Sequence, residues 1–324
     1  MSNETSSRYS ELMDSLNRAG RIETSPDADG KDVIDLVKAS IANAPTAISV
    51  RGCPRLSKSA RMFNFGLTVI GGPTGTKKSW LAQFICMVLW LNKTSFAYLP
   101  LESNRAFYLR RMACLLTGDF DALLTGEDCQ DAPARAVAAV ESVRPQLADI
   151  ARGIWENPSL PNADGTGADV TPTFVLDWLK VRFEKGKRVA IVDPLAMLDF
   201  SSARDQWQAE NHFIRALVNL TARYQTTVIL VAHTTKKLDG KPLEVGDLQG
   251  GASISRNAES VVLVQSHEDK SSAISRPGGQ SETAMHNMTL TCAKSRNAEA
   301  GLRIAYNFGR PGARFEELGI IRKG

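Results

Sequence analysis

"VIGGPTGTKKSWLAQF", residues 69–84, runs from an apolar strand through a glycine-rich turn into the start of a helix. The turn that cradles phosphates follows G-x-x-x-x-G-K-[S/T]. Here Gly72 is followed by Pro73, Thr74, Gly75 and Thr76, and then by Lys77, Lys78 and Ser79, so a lysine stands where the second glycine is usual. Such a turn wraps an anion in successive backbone N–H groups at a helix N-terminus, where the helix dipole favours negative charge. In that arrangement Lys78 reaches the outer phosphates and the Ser79 hydroxyl holds magnesium. The position of Lys77 often requires left-handed backbone, which costs a residue with a Cβ on the order of 1 kcal/mol. Lys77 also adds a second positive charge. The stretch alone equally describes a turn that merely opens a helix, so the other strand ends have to decide.

Three of them carry polar groups. "SFAYLPLE" (95–102) runs apolar to Leu101 and stops at Glu102; "RVAIVDP" (188–194) gives four apolar residues and then Asp193; "TTVILVAH" (226–233) ends in His233. Near-continuous apolar runs suit strands buried on both faces, and ligands of parallel sheets sit at the C-terminal strand ends. A carboxylate such as Glu102 can orient and deprotonate an attacking water. One such as Asp193 can hold magnesium, and a strand-end His233 can sense a terminal phosphate. Either acid alone could be a helix cap or a solvated strand end; together, in this order, they favour a nucleoside-triphosphate site.

The remainder of the 324 residues fits an α/β protein. Helices are expected over 78–92, 104–117, 132–152 (as a pair), 172–185 and 206–224, and shorter strands at 260–265, 288–293, 302–308 and 313–318. The expected fold is a mainly parallel sheet flanked by helices, with antiparallel strands added at its C-terminal edge. Residues 1–45 read as a polar arm with one docking helix at about 31–43, 46–324 as the catalytic domain, and "CPRLSKSARMFN" (53–64) as a basic connector. Trp207 reads as opening a buried helix, and 266–286 as an exposed hairpin with no assigned role. The loop 234–256 carries Lys236, Lys237, Lys241 and Arg256, groups suited to tracking a phosphate backbone. A solvated surface loop is the alternative.

Composition narrows the classes. The chain is 43% hydrophobic with a formal net charge of +4, mild enough to permit nucleic acid without requiring it. Five cysteines without a C-x-x-C pair argue for reduced thiols and against zinc. The longest apolar run, "LAQFICMVLWL", is eleven residues, too short for a bilayer span, and the polar N-terminus lacks a signal-peptide core. A cytoplasmic protein is expected. No G-x-G-x-x-G follows the first strand, which disfavours a dinucleotide-binding dehydrogenase.

The ordered set of phosphate loop, "YLPLE", "VAIVDP" and "VILVAHTTK" resembles the RecA-like motor domains of hexameric replicative helicases, of the DnaB and plasmid RepA types. "GDLQGGASISRNAESVVLV" (246–264) and "LTCAKSRNAEAGLRIAYNF" (290–308) extend the likeness over roughly residues 50–320. The resemblance implies ATP and Mg²⁺ as ligands and a homo-oligomeric ring, commonly a hexamer, acting on single-stranded DNA with a primase or initiator as partner. It places the catalytic glutamate on Glu102, the magnesium acid on Asp193 and the phosphate-loop groups on Lys78 and Ser79. The γ-phosphate-contacting position falls on His233, and a trans-acting pair on Lys294 and Arg296. Two departures stand out: the arm is too short to be a DnaB-type primase-binding domain, and Lys77 replaces the loop glycine. A RecA-like ATPase that binds nucleic acid without unwinding, and a nucleotide-binding scaffold with little turnover, are the competing readings.

Overall fold

The computed structural model describes residues 35, 37–38, 53–60, 65–160, 169–201, 203–234, 243–276, 280–296, 299–309 and 312–322. The expected docking helix at 31–43 therefore lies outside the described residues except for Asp35, Val37 and Lys38, which are helical. Lys236, Lys237 and Lys241 also lie outside them.

One sheet organises the chain. Strands β1 (Gly66–Gly72), β2 (Phe96–Pro100), β3 (Val189–Asp193), β4 (Thr227–His233) and β5 (Ser260–Ser275) are joined by parallel pairings in the order β2-β3-β4-β1-β5. Strands β6 (Ser281–Ser295), β7 (Leu302–Gly309) and β8 (Gly312–Ile321) continue it antiparallel. The expected parallel core with antiparallel additions is thus the observed fold. The additions do more than extend an edge, because β8 curls back to pair with the far end of β5 through Ile274 and Ile321. The opposite edge is covered as well: the Tyr98 carbonyl in β2 accepts from the Trp155 amide at 2.9 Å, and the Tyr98 amide donates to the Gly153 carbonyl at 2.7 Å. Arg105 fixes that covering segment through the carbonyls of Ile154 (2.7 Å) and Ala151 (2.8 Å).

Side chains alternate across a strand, so the two faces form two cores. On one face Ile70, Tyr98, Ile191, Val231 and Val264 pack with helices α1 (Pro54–Ala60), α2 (Lys78–Leu91) and α3 (Arg105–Thr117), with α4 (Ala132–Ser142) and α5 (Arg144–Ala151) outside them. On the other face Val69, Leu99, Val192, Leu230 and Leu263 meet α6 (Pro172–Glu184), α7 (Gln206–Tyr224) and α8 (Gly251–Asn257). All five cysteines are free thiols.

Two expectations are corrected. The connector at 53–64 contains helix α1, fully buried at Cys53 and Leu56. Its first amides, on Arg55 and Leu56, donate to the Glu317 carboxylate at 2.9 and 3.1 Å, and the Tyr306 hydroxyl joins them at 2.6 Å. A carboxylate suits a helix N-terminus, which is why a stretch of basic appearance folds onto the sheet. The loop 234–256 likewise ends in helix α8, so Arg256 is a helical residue. Glu317→Ala leaves three donors without their acceptor and is expected to lower stability by about 2 kcal/mol. Glu317→Gln should cost less. Urea unfolding measures both.

Candidate nucleotide site

Strand parity assembles the site. Ile70, Tyr98, Ile191 and Val231 face α2, so residues two further along β1, β3 and β4 face it too: Gly72, Asp193 and His233. Register brings them to one level, with Gly72 opposite His233 and Pro100 opposite Asp193. Glu102 follows immediately beyond β2.

The turn before α2 has the geometry the motif requires. Gly75 has φ 81°. A Cβ on Gly72 would meet the Val264 carbonyl oxygen at 2.3 Å, so only glycine passes there. Lys77 caps α2 with φ 70° and ψ 20°, the left-handed conformation expected of the missing glycine, and its side chain is exposed. The Thr76 hydroxyl closes the turn by donating to the Pro73 carbonyl at 2.8 Å.

Lys78 is buried, and its ammonium donates to the same carbonyl at 2.6 Å. Burial lowers its pKa to about 8, against the opposing pull of the Asp193 and Glu102 carboxylates. Ser79 donates to Asp193 Oδ1 at 3.1 Å. The second Asp193 oxygen accepts from Tyr98, a fully buried residue that sequence reasoning missed. Burial raises the Asp193 pKa to about 6, while the two hydroxyl donors and Lys78 pull it down. His233 stands 3.5 Å from the Thr74 hydroxyl, at the outer limit of a hydrogen bond. Burial first and Lys78 second depress its pKa, which favours neutral imidazole.

The residues present fit a magnesium nucleotide. A cradle that tolerates no Cβ, a helix N-terminus, a buried ammonium and a hydroxyl–carboxylate pair meet at one strand end. Beside Lys77 a cleft of about 560 Å³, lined also by His267, Glu268, Asp269, Asn287 and Phe308, opens against the β5–β6 hairpin. That hairpin carries no assignment from sequence. A bulge between Ser266 and Lys270 turns its first strand beside the loop.

Lys294 and Arg296 are not brought to this site. Ser295 pairs with Ser260, which lies opposite Thr68. Gly72 is four positions further on, roughly 13 Å of strand rise. Lys294 instead donates to the Ser255 carbonyl at 2.8 Å, and Arg296 to the Arg256 carbonyl at 2.9 Å while pairing with Glu259 at 3.3 Å. Arg256 stands on α8 at that far end, not beside the phosphate loop. Trp207 is 58% exposed, so the expectation that it opens a buried helix fails at that residue.

No family model matches the chain, and no curated protein sequence matches it. Solved structures do. The isolated ATPase domain of a DnaB-like replicative helicase superposes with a TM-score of 0.64 at 14% identity, over 90% of this chain and 99% of that one. A second DnaB-like replicative helicase, described with its interactions with primase, gives 0.65 at 13% identity over 97% of this chain and 75% of that one. The chain has the RecA-like fold of a replicative-helicase ATPase domain. At this identity the likeness is one of fold, and the polar groups at the strand ends carry any statement about chemistry.

Replacing Lys77 with glycine removes a left-handed residue that carries a Cβ. Lys77→Gly is expected to raise stability by up to about 1 kcal/mol, since the strain relieved outweighs the added flexibility of the unfolded chain. Chemical denaturation of the two proteins measures the difference.

Proposed function

We propose that the chain is an ATP-hydrolysing, ring-forming motor that acts on single-stranded and duplex DNA, in the replication of a plasmid, phage or other mobile element. The observation that carries this reading is the Ser79–Asp193 hydrogen bond at the mouth of the phosphate loop, with Lys78 beside it and Glu102 acting on both charges.

Each residue then has a chemical task. Backbone amides of Gly72 to Lys78 hold the phosphates, and the cleft beside Lys77 supports a ligand larger than phosphate alone. Lys78, cationic near neutral pH, leaves the Pro73 carbonyl for the outer phosphates. Ser79 and Asp193 would hold magnesium, which supplies charge neutralisation on the β- and γ-phosphates. Glu102 orients the attacking water and takes its proton. His233 contacts the terminal phosphate and passes its presence to the following segment, whose Gln249 amide donates to the His233 carbonyl at 2.9 Å.

Lys294 and Arg296 sit at the other end of the sheet, which supports their serving a neighbouring subunit's site. A trans arginine there is worth roughly 10³–10⁵ in rate. A hexameric ring, a channel lined by Lys236, Lys237, Lys241 and Arg256, and a primase or initiator partner complete the proposal. So does a cytoplasmic setting; no helix among the described residues is long and apolar enough to cross a membrane. Lys77 favours a second reading, an ATPase that binds nucleic acid or loads a partner without unwinding.

Steady-state ATP hydrolysis, with and without single-stranded DNA, tests the proposal. Stimulation by DNA is expected, with a loss of about 10²–10⁴-fold in Glu102→Gln. Lys77→Gly should change the rate without creating or abolishing it. Hydrolysis indifferent to both DNA and Glu102→Gln would rule the motor out.

A further inference from the structure

Away from the phosphate loop, the first turns of α7 and the length of α8 enclose a groove of about 190 Å³. Trp207, Asn211 and Arg215 line it from α7 at i, i+4 and i+8, one face of a helix over about 12 Å. His212 joins them, and Arg256 and Asn257 face them from α8. No carboxylate is among the described residues lining the groove. Glu210, the nearest acid along α7 in sequence, is buried and accepts from the side-chain amides of Gln206 (3.1 Å) and Gln249 (3.0 Å).

We propose that this groove binds single-stranded nucleic acid, with a base stacked on the Trp207 indole and phosphates on Arg215 and Arg256. An aromatic face beside cationic and amide donors is the composition of sequence-tolerant single-strand sites. A second copy of the chain is a poorer occupant, because the cores of protein interfaces are apolar and depleted of charge. Gln249 also ties the groove to the nucleotide: its backbone donates to the His233 carbonyl and its side chain to Glu210, three residues beyond Trp207. The proposal rests on the nucleic-acid motor reading and adds base stacking on a helix-lined surface to it.

The test is fluorescence anisotropy of labelled oligodeoxythymidylate, with a non-hydrolysable ATP analogue present and thermal unfolding as a check on folding. An abasic strand of equal length runs alongside. Trp207→Ala is expected to bind the base-bearing strand roughly ten- to a hundred-fold more weakly. Trp207→Phe should keep most of the affinity, and the abasic strand should bind wild type and Trp207→Ala alike. The double change Arg215→Ala, Arg256→Ala should flatten the slope of log affinity against log salt by about 1.4 for two lost phosphate contacts. Oligouridylate in place of the deoxy strand shows whether the sugar matters. If wild type binds and Trp207→Ala matches it on base-bearing strands, the groove assignment falls while the motor reading stands. If Trp207→Ala instead dissociates in sedimentation and keeps its strand affinity, a second copy occupies the groove and the assignment is overturned. If wild type binds no strand at all, both fall.

Discussion

The Asp193 carboxylate is the constraint on which the rest of the site depends. A fully buried acid is costly unless its oxygens are engaged. Here one accepts from Ser79 in the first turn of α2 and the other from Tyr98 in β2. Three elements distant in sequence are thereby tied at one point, and the helix that carries the phosphate-binding amides is indexed to the sheet. Satisfying Asp193 and positioning the anion cradle are one packing problem.

Burial sets the charge balance around that point. It lowers the pKa of Lys78 and raises that of Asp193, so the water-poor strand end penalises both ions. Each partly restores the other. A compact cluster of a cation and carboxylates, short of water, responds strongly to added phosphate charge, as an anion-dependent switch must. The link from His233 to Gln249 gives that response a covalent and hydrogen-bonded route out of the site.

Much of this is legible in the sequence because parallel strands buried on both faces leave little ambiguity. Gly72, Glu102, Asp193 and His233 each end an apolar run, and strand order with side-chain parity then places them together. What stays hidden depends on partners far apart in sequence. Tyr98 reads as one more residue of an apolar strand until Asp193, 95 positions later, is seen beside it. Helix α1 reads as a connector because its anchor, Glu317, is 262 residues from Arg55. Arg256 has the charge expected of it but sits on a different element, since Gly250 and Gly251 suggest a loop where they open a helix. Trp207 fits an apolar helix start by type, and only the path of α8 beside it leaves the indole exposed. The left-handed backbone of Lys77 is readable in advance, for the motif prescribes backbone geometry as well as residue type.

The sheet has no plain margin at either end. β8 folds back onto β5, and the segment around Ile154 pairs with β2. Open strands invite neighbouring chains to add their own, a route to fibres and to irregular aggregates. With both margins occupied, copies of this chain must meet through side-chain surfaces, whose shape and charge fix a definite angle between them. Covered margins therefore favour assemblies that close over ones that grow without limit.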